Sequence, residues 1–461
     1  MLSLSNLMPI IILILGGVFF YLSKNKAAGM AGGSPASLHS RPNYHGTLNF
    51  LSVFMLGIFA YLILLIFGSW FITGSLMSKI QTAQPDIEFI RAQLILSDAK
   101  SIAQGNIASA DDMLRQEIAA DYSRLSNLQN SLMVIVPLVL GCLIGCWQMS
   151  KISLQWRARN RSERIIQLFL FACAVIAILT TVGIVLSLIF ETFNFFSSIG
   201  WRVDKYIFGT NWTPLAGVHA GEMDPDRVGA IPLFVGTALI TLIAMLVAVP
   251  IGLLAAIYLS DFASARVRAW AKPMLEILAG IPTVVYGFFA AITLAPAIRG
   301  WGESIGLSVA SESALAAGVV MGIMIIPFIS SLSDDVINAV PQSLRDGSYG
   351  LGATKAETIR QVVLPAALPG IVSAVLLGVS RAVGETMIVV MAAGQGANLT
   401  VNPLEAVTTV TVQIVMLITG DTDAATAAGP AFTLGFTLFC VTLLLNFVAL
   451  RIVRKYREAY D

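Results

Sequence analysis

Nine apolar segments, each about 20 residues long or slightly shorter, run through this chain of 461 residues. A helix needs roughly 20 apolar residues to cross the hydrocarbon core of a bilayer, so each segment is a candidate transmembrane helix. Hydrophobic residues make up 56% of the chain and charged residues only 12%, against about 25% charged in soluble domains. We therefore predict an all-α integral membrane protein with about nine transmembrane helices. The approximate spans are 5 to 22, 49 to 72, 131 to 149, 165 to 190, 230 to 258, 273 to 298, 313 to 332, 366 to 393 and 431 to 452.

Lys and Arg residues in the loops predict how the chain crosses the membrane. Short cytoplasmic loops are enriched in these residues. Four enriched segments fall on one side when nine spans alternate, and we interpret that side as the cytoplasm of a bacterial cell. The location predicted is the inner membrane, with the loops 73 to 130 and 191 to 229 outside. The basic residues of the four segments are Lys24, Lys26 and Arg41; Lys151, Arg157, Arg159, Arg161 and Arg164; Arg266, Arg268 and Lys272; and Arg451, Arg454, Lys455 and Arg457.

No metal site and no nucleic-acid-binding surface are predicted. Cys142, Cys146, Cys173 and Cys440 all lie in apolar runs, whereas a disulfide framework or a zinc site uses cysteines at recognisable spacings in polar segments. We interpret them as small packing residues. The basic residues form no stripe of the kind that binds nucleic acid.

Residues 73 to 130 are the one sizeable water-soluble stretch. Ile87, Ile90 and Leu94 recur there at helical spacing, and Gly105 with Asn106 suggests a break between two helices. We predict a helical hairpin that forms a small exported cap or extends the flanking membrane helices. A ligand-binding role is the alternative.

Between the seventh and eighth spans, on the predicted cytoplasmic side, residues 346 to 365 read DGSYGLGATKAETIRQVVLP. This segment resembles the EAA loop of ABC-importer permeases, in which an acid and two small residues precede a glycine, an aliphatic residue, a leucine and a proline. Gly352 permits a left-handed turn, and Pro365 is expected to begin the next helix. The resemblance implies contact with a separate ATPase. The matching residues are Asp346, Gly347, Ser348, Gly352, Val362, Leu364 and Pro365.

The flanking sequence resembles the PstC permease subunits of phosphate importers. Three stretches carry this resemblance: the run from Ser348 through GETM at residues 384 to 387, the run RVGAIPLFVGTALITLIAMLVAVPIGLLAAIYLS from Arg227, and GIPTVVYGFF from Gly280. Together they cover about residues 165 to 461, or six spans, which implies the core of a type I ABC-importer permease.

The resemblance also divides the chain into two parts. Residues 1 to 160 are predicted to be an N-terminal extension with three transmembrane helices and the exported segment at about 73 to 130. Residues 161 to 461 are predicted to be the permease domain with its coupling loop at 346 to 365.

Two opposite charges, Arg381 and Glu385, lie four residues apart within the predicted eighth span, and hence on one face of a helix. A charge in lipid costs at least about 2.5 kcal/mol, so we expect both to face the protein interior or a polar pathway. Arginine suits a phosphate oxyanion because it donates two parallel hydrogen bonds. A structural ion pair is the alternative.

The family resemblance implies that an RAxGET segment belongs to the substrate pathway, and here it is formed by Arg381, Ala382, Gly384, Glu385 and Thr386. Arg381, Glu385 and Thr386 are therefore the predicted pathway residues. Our hypothesis is that Glu385 neutralises Arg381 when the pathway is empty, and that a passing phosphate competes for the guanidinium.

No GxxxxGK[ST] phosphate loop occurs, so we predict a transport subunit without catalytic residues or a cofactor of its own. The resemblance implies two ATP-binding subunits (PstB-like) that hold ATP and Mg, a second permease subunit (PstA-like) and an external phosphate-binding protein (PstS-like). Import of another oxyanion, such as molybdate, sulfate or a phosphonate, is an alternative function. A membrane sensory or scaffold protein and an ATPase-independent secondary transporter are others.

Overall fold

A computed structural model describes residues 4–31, 38–84, 89–103, 113–216, 223–420 and 424–457. Helices account for nearly all regular structure in these ranges, because a chain in lipid must satisfy its backbone hydrogen bonds within each segment. The α-helices are α1 Met8–Met30, α2 Pro42–Ala83, α3 Phe89–Ala103, α4 Met113–Ser150, α5 Ala158–Ser198, α6 Val203–Phe208, α7 Ile231–Ile257, α8 Ala265–Ala279, α9 Thr283–Phe289, α10 Ala295–Ser304, α11 Ala314–Ala339, α12 Gln342–Gly350, α13 Lys355–Thr358, α14 Leu364–Val383, α15 Met387–Ala392, α16 Val410–Thr419 and α17 Ala424–Arg457. Two 3-10 helices, Leu4–Leu7 and Pro225–Arg227, and three π turns, Tyr258–Phe262, Ala290–Leu294 and Ile359–Val363, complete them.

Nine helix runs within the described ranges are long and apolar enough to cross a membrane, which confirms the predicted integral membrane fold. Several runs exceed 35 residues and extend beyond the apolar segment that identified them. The runs are Leu4–Met30, Pro42–Ala83, Met113–Ser150, Ala158–Ser198, Ile231–Phe262, Thr283–Ser304, Ala314–Ala339, Lys355–Val383 and Ala427–Arg451.

The predicted sixth and eighth spans have the wrong boundaries. α8 ends at Ala279, and the sixth run begins at Thr283 after a break that contains Pro282. The eighth run ends at Val383 instead of near residue 393, since the chain breaks at Gly384 before α15 begins. Hydrophobicity continues through both breaks, so the apolar pattern does not reveal them.

Two of the three π turns end two residues before a proline. Ala290–Leu294 is followed by Pro296, and Ile359–Val363 by Pro365. Proline lacks an N–H group and its ring clashes with the carbonyl four residues earlier, and a widened turn accommodates both. Pro365 lies in the first turn of α14, which confirms the prediction that it begins this helix, although the continuous helix run that contains α14 starts earlier, at Lys355.

The chain divides into two compact units, Met1–Leu179 and Thr180–Asp461. In the first unit, a buried amide joins three helices: Asn49 Nδ2 on α2 donates to Ser23 Oγ on α1 at 2.6 Å and to the Gly145 carbonyl on α4 at 3.1 Å. A Cβ on Gly145 would lie 2.6 Å from the Phe19 ring. Close glycine contacts and polar bridges are the usual cohesive contacts of membrane helices.

The part of the first unit predicted to be exported packs α3 against extensions of α2 and α4. Ion pairs join α2 to α4, with Lys79 Nζ 2.6 Å from Glu117 and 2.5 Å from Asp121. Leu94 is exposed, so the apolar spacing used in the prediction did not identify the buried face. The predicted break at residues 105 and 106 lies outside the described ranges. The buried residues are Ile72, Leu76, Ile80, Ala92, Ile95, Leu96, Ala99, Ile118 and Ala119.

In the second unit, α7 and α11 form the centre of the largest core. A Cβ on Gly318 would lie 2.6 Å from the Ile243 side chain, and one on Gly322 would lie 2.8 Å from the Ala244 carbonyl oxygen. Glycine at these two positions therefore lets the helix backbones approach closely.

The interpretation of the cysteines as packing residues is wrong. All four are exposed on the surface of this chain, where their modest polarity suits lipid or another subunit as well as a core.

Candidate functional site

Residues 346 to 365, predicted to couple the chain to an ATPase, fold as a compact hairpin of short helices. α12 ends at Gly350, a tight turn follows, and α13 leads through a π turn into α14. Gly352 has a φ of +86°, the left-handed conformation that glycine adopts without strain. The prediction for this glycine is confirmed.

Hydrogen bonds hold the two arms of this hairpin together. Ser348 Oγ on α12 lies 2.9 Å from Thr358 Oγ1 on α13. At the start of α13, Thr354 and Glu357 form a capping box in which each side chain bonds the other residue's backbone N–H. Ser348 therefore stabilises the hairpin by joining its two arms.

The outer face of α12 is open. Asp346 and Gly347 are exposed, and a Cβ on Gly347 would meet no atom within 4 Å. Leu344, Tyr349 and Leu351 are also exposed on this hairpin, with Leu351 at 91%. Leu344 and Leu351 stand three residues before and four residues after Gly347, and hence on the same side of the helix.

Val362, Leu364 and Pro365 lie on the helix run that continues into the eighth span. Leu364 packs against a buried cluster that includes Val363 and Ile337. The second arm of the hairpin and the membrane helix thus form one continuous helix run, Lys355–Val383.

A buried ion pair, which sequence reasoning missed, joins α12 to the π turn Tyr258–Phe262 that follows α7. The Arg345 guanidinium contacts the Asp261 carboxylate, and its Nη2 donates to the Ile337 carbonyl at 2.8 Å. Only 10% of the Arg345 side chain and 7% of the Asp261 side chain are exposed. The sequence signal was limited to one Asp at the end of an apolar run, 84 residues before its partner.

A second buried carboxylate, Asp334 on α11, holds α8 in place. Arg268 Nη2 lies 3.2 Å and Lys272 Nζ 3.0 Å from its oxygens, and Asn338 Nδ2 donates to it at 2.8 Å. The hydrogen bond that Lys272 donates to the Asp334 carboxylate raises the pKa of Lys272. Arg268 and Lys272 were used in the prediction only as topology signals, and they also have this packing role. Glu276, expected at the start of the sixth span, lies on α8.

The structure separates Arg381 from Glu385. Arg381 lies in the last turn of α14, which ends at Val383, whereas Glu385 follows the break at Gly384. The expectation that both lie on one face of one helix is therefore wrong. Arg381 is exposed and has no ion pair or hydrogen bond to any described side chain.

Glu385 instead caps the next helix. Its Oε1 accepts hydrogen bonds from the backbone N–H of Met387 at 3.1 Å and of Ile388 at 3.5 Å. An acidic side chain at this position satisfies N–H groups that have no partner within the helix. Thr411 Oγ1 donates to the Glu385 carbonyl at 2.9 Å, while the predicted pathway residue Thr386 is half-buried beside it.

Two of the segments that carry the family resemblance meet at this break. A Cβ on Gly287, in GIPTVVYGFF, would lie 3.0 Å from the Met387 carbonyl oxygen and 3.2 Å from the Ile388 Cα. Tyr286 is buried next to it and donates to the Leu278 carbonyl at 2.8 Å. Glycine at 287 therefore allows α15 to lie directly against α9.

Two protein families match this chain. Residues 248–458 match the family described as the binding-protein-dependent transport system inner membrane component. Residues 10–180 match a family described as phosphate ATP-binding cassette transporter. The first match contains both the hairpin at residues 346 to 365 and the helix break at Gly384.

Several bacterial proteins are similar to the chain. A probable ABC transporter permease, YqgH of Bacillus subtilis, is 33% identical over 283 residues, which cover 61% of this chain and 87% of that protein. The phosphate transport system permease PstC of Xylella fastidiosa is 32% identical over 277 residues, which cover 54% of this chain and 80% of that protein.

A chain of the methionine ABC transporter MetNI, solved in inward-facing conformations, is 22% identical and covers 50% of this chain, with a TM-score of 0.36. That score is too low for an argument about the fold. The identities of about 30% across most of the relatives' length, the family match over the second unit and the nine apolar helix runs agree. The chain is therefore a multi-pass inner-membrane protein that belongs to the PstC-type permeases of ABC importers.

Proposed function

We propose that this chain is the permease subunit of an ATP-driven importer of inorganic phosphate. It forms half of the translocation pathway and couples to a separate ATPase through residues 346 to 365. Its partners are a second permease chain, two ATP-binding subunits that hold ATP and Mg, and an external phosphate-binding protein. The similarity to PstC phosphate permeases supports this substrate and these partners.

The observation that carries the proposal is the exposed guanidinium of Arg381 on a membrane-spanning helix, where it has no ion pair or hydrogen bond to the described residues. A lone cation facing lipid is costly, so Arg381 requires a polar surrounding or an anion. The helix cap engages the Glu385 carboxylate, which leaves the five N–H donors of Arg381 available to an oxyanion. This changes the earlier hypothesis, since Glu385 does not neutralise Arg381 here.

The open face of α12 supports coupling to another subunit. No atom of the described residues lies within 4 Å of a Cβ added at Gly347, so packing among those residues does not require glycine there. Exposed Leu344 and Leu351 lie on the same side of the helix as Gly347. Exposed apolar side chains next to a residue without a side chain, on a hairpin predicted to be cytoplasmic, suit contact with an ATPase.

The substrate is tested by uptake of radiolabelled phosphate in cells whose only phosphate importer contains this chain, with a strain that lacks the chain as background. Unlabelled phosphate and arsenate are expected to abolish the signal, because both are tetrahedral oxyanions of similar size and charge. Molybdate, sulfate and methylphosphonate at the same excess are expected to leave it unchanged. Equal competition by any of these three contradicts phosphate as the substrate.

Gly347→Leu is expected to weaken copurification of the ATPase and phosphate uptake by about tenfold or more. Overpacking of a fitted contact costs about 1 to 3 kcal/mol, which corresponds to roughly 5- to 150-fold. The folded chain itself has room for the side chain, and leucine is the better helix former. The thermal stability of the purified chain is therefore expected to stay at least as high.

Gly300→Leu is the matched control, because Gly300 lies on α10 with no atom within 4 Å of its added Cβ. It is expected to leave copurification and uptake unchanged. If Gly347→Leu retains the ATPase at wild-type levels, α12 is not the coupling surface.

A further inference from the structure

We propose that the basic end of the first unit binds the phosphate groups of anionic phospholipids in the cytoplasmic leaflet. This basic end consists of the described residues 24–31, 38–41 and 151–164, which contain eight basic residues and one acidic residue, Glu163. Its basic residues are Lys24, Lys26, Arg41, Lys151, Arg157, Arg159, Arg161 and Arg164.

Contacts between distant parts of the sequence make the basic end a single surface. Lys26 Nζ donates to the Met149 carbonyl at the end of α4, at 2.8 Å. The backbone N–H of His39 donates to the Leu154 carbonyl at 2.9 Å. At the start of α5, the backbone N–H of Arg159 donates to Ser40 Oγ at 3.2 Å.

Carboxylates within the chain neutralise little of this charge. Among the described side chains, Glu163 pairs with Arg159 at 2.7 Å, and it is the one acidic partner found on the basic end. The second unit differs, since Arg268 and Lys272 share Asp334. Seven cations of the basic end thus lack an acidic partner among the described side chains, which leaves them available to anions from outside the chain.

Aromatic side chains place the basic end at the level of the lipid headgroups. The guanidinium of Arg161 lies 3.9 Å from the centre of the Trp156 ring, and Lys151 Nζ lies 5.8 Å from the Trp147 ring. The guanidinium of Arg159 lies 5.8 Å from the centre of the Tyr44 ring. Trp and Tyr are enriched at membrane–water interfaces, which favours a lipid over a soluble acidic protein.

Lipid phosphate matches the chemistry of these side chains. Arginine donates paired hydrogen bonds to phosphate oxygens, and Arg157, Arg161 and Arg164 are exposed. Basic residues next to a membrane helix are attracted by anionic lipid, and each contributes several-fold to the affinity. Three of them together correspond to roughly a hundredfold.

Native mass spectrometry of the purified chain, titrated with phosphatidylglycerol, cardiolipin or phosphatidylcholine, tests the proposal. The wild-type chain is expected to bind the two anionic lipids at least tenfold more tightly than phosphatidylcholine. The triple variant Arg157→Gln, Arg161→Gln, Arg164→Gln is expected to bind them roughly a hundredfold more weakly. The triple Arg→Lys variant at these positions keeps the charge and the topology signal, and it is expected to retain most of the binding.

Arg360→Gln is the control for a general loss of charge, since Arg360 is an exposed cation of the second unit, and it is expected to bind like wild type. Equal affinity of the wild-type chain for phosphatidylcholine would overturn the proposal, and this measurement does not depend on correct insertion of a variant. Displacement of bound lipid by millimolar inorganic phosphate, or stoichiometric capture of a soluble acidic protein instead of lipid, would also overturn it.

Discussion

Arg381→Gln is expected to lower phosphate uptake by roughly 10- to 150-fold while the chain stays in the membrane with its partners. A hydrogen bond to a charged group contributes about 1.5 to 3 kcal/mol, and each 1.4 kcal/mol is tenfold. Because Arg381 has no ion pair or hydrogen bond with the described residues, its replacement removes no contact that holds the fold. Uptake of radiolabelled phosphate, normalised to the chain present in membranes, measures the effect.

Two related variants sharpen this prediction. Arg381→Lys keeps the charge but loses the planar pair of donors, so its uptake is expected to fall between those of wild type and Arg381→Gln. Glu385→Gln is expected to remain close to wild type, since the amide oxygen of glutamine can accept the same backbone hydrogen bonds at the start of α15. Normal uptake in Arg381→Gln would exclude Arg381 from the pathway.

Asp261→Ala is expected to destabilise the chain by about 3 to 5 kcal/mol, because it leaves the buried guanidinium of Arg345 without its carboxylate. Arg345→Ala is expected to have an effect of the same size for the converse reason. The loss is measured as a shift of denaturant-induced unfolding of the purified chain. Copurification of the ATPase is expected to fall with it, since Arg345 is part of α12.

The double variant Asp261→Leu, Arg345→Met tests whether stability requires the two charges or only the volume that the two side chains fill. Replacement of a buried ion pair by apolar residues is often neutral, so the double variant is expected to recover most of the stability lost in either single variant. Arg299→Ala removes an exposed ion pair with Glu303 and is expected to be indistinguishable from wild type. If Asp261→Ala unfolds like wild type, the buried pair contributes nothing to stability.

Features that depend only on neighbouring residues were predictable from the sequence. Apolar segments of sufficient length became helix runs because lipid leaves the backbone no other partner. The left-handed Gly352 was predicted from its place in a short motif, and the motif itself was visible as a spacing of small and apolar residues. The match to the inner membrane component of binding-protein-dependent transport systems covers the same part of the chain, residues 248–458.

Other features escaped sequence reasoning because they depend on distant residues or on helix ends. A hydropathy pattern averages over windows, so it ran through the breaks at Pro282 and Gly384 and joined Arg381 to Glu385 on one helix. The partners of Asp261 and Asp334 lie in segments far along the chain, and no local pattern pairs them. The exposed cysteines show the same difficulty, since apolar residues face lipid as readily as a core.

The amino-acid sequence by itself determined the membrane fold, the apolar helices and the turn at Gly352, because hydrophobicity and backbone conformation act over a few neighbouring residues. Tertiary structure alone decided which charges are buried in pairs and which remain open. Asp261 and Arg345 are paired because the π turn after α7 lies against α12, and Arg381 has no ion pair among the described residues because its helix ends before Glu385. Those outcomes depend on where helices end and meet, which is a property of the packed chain.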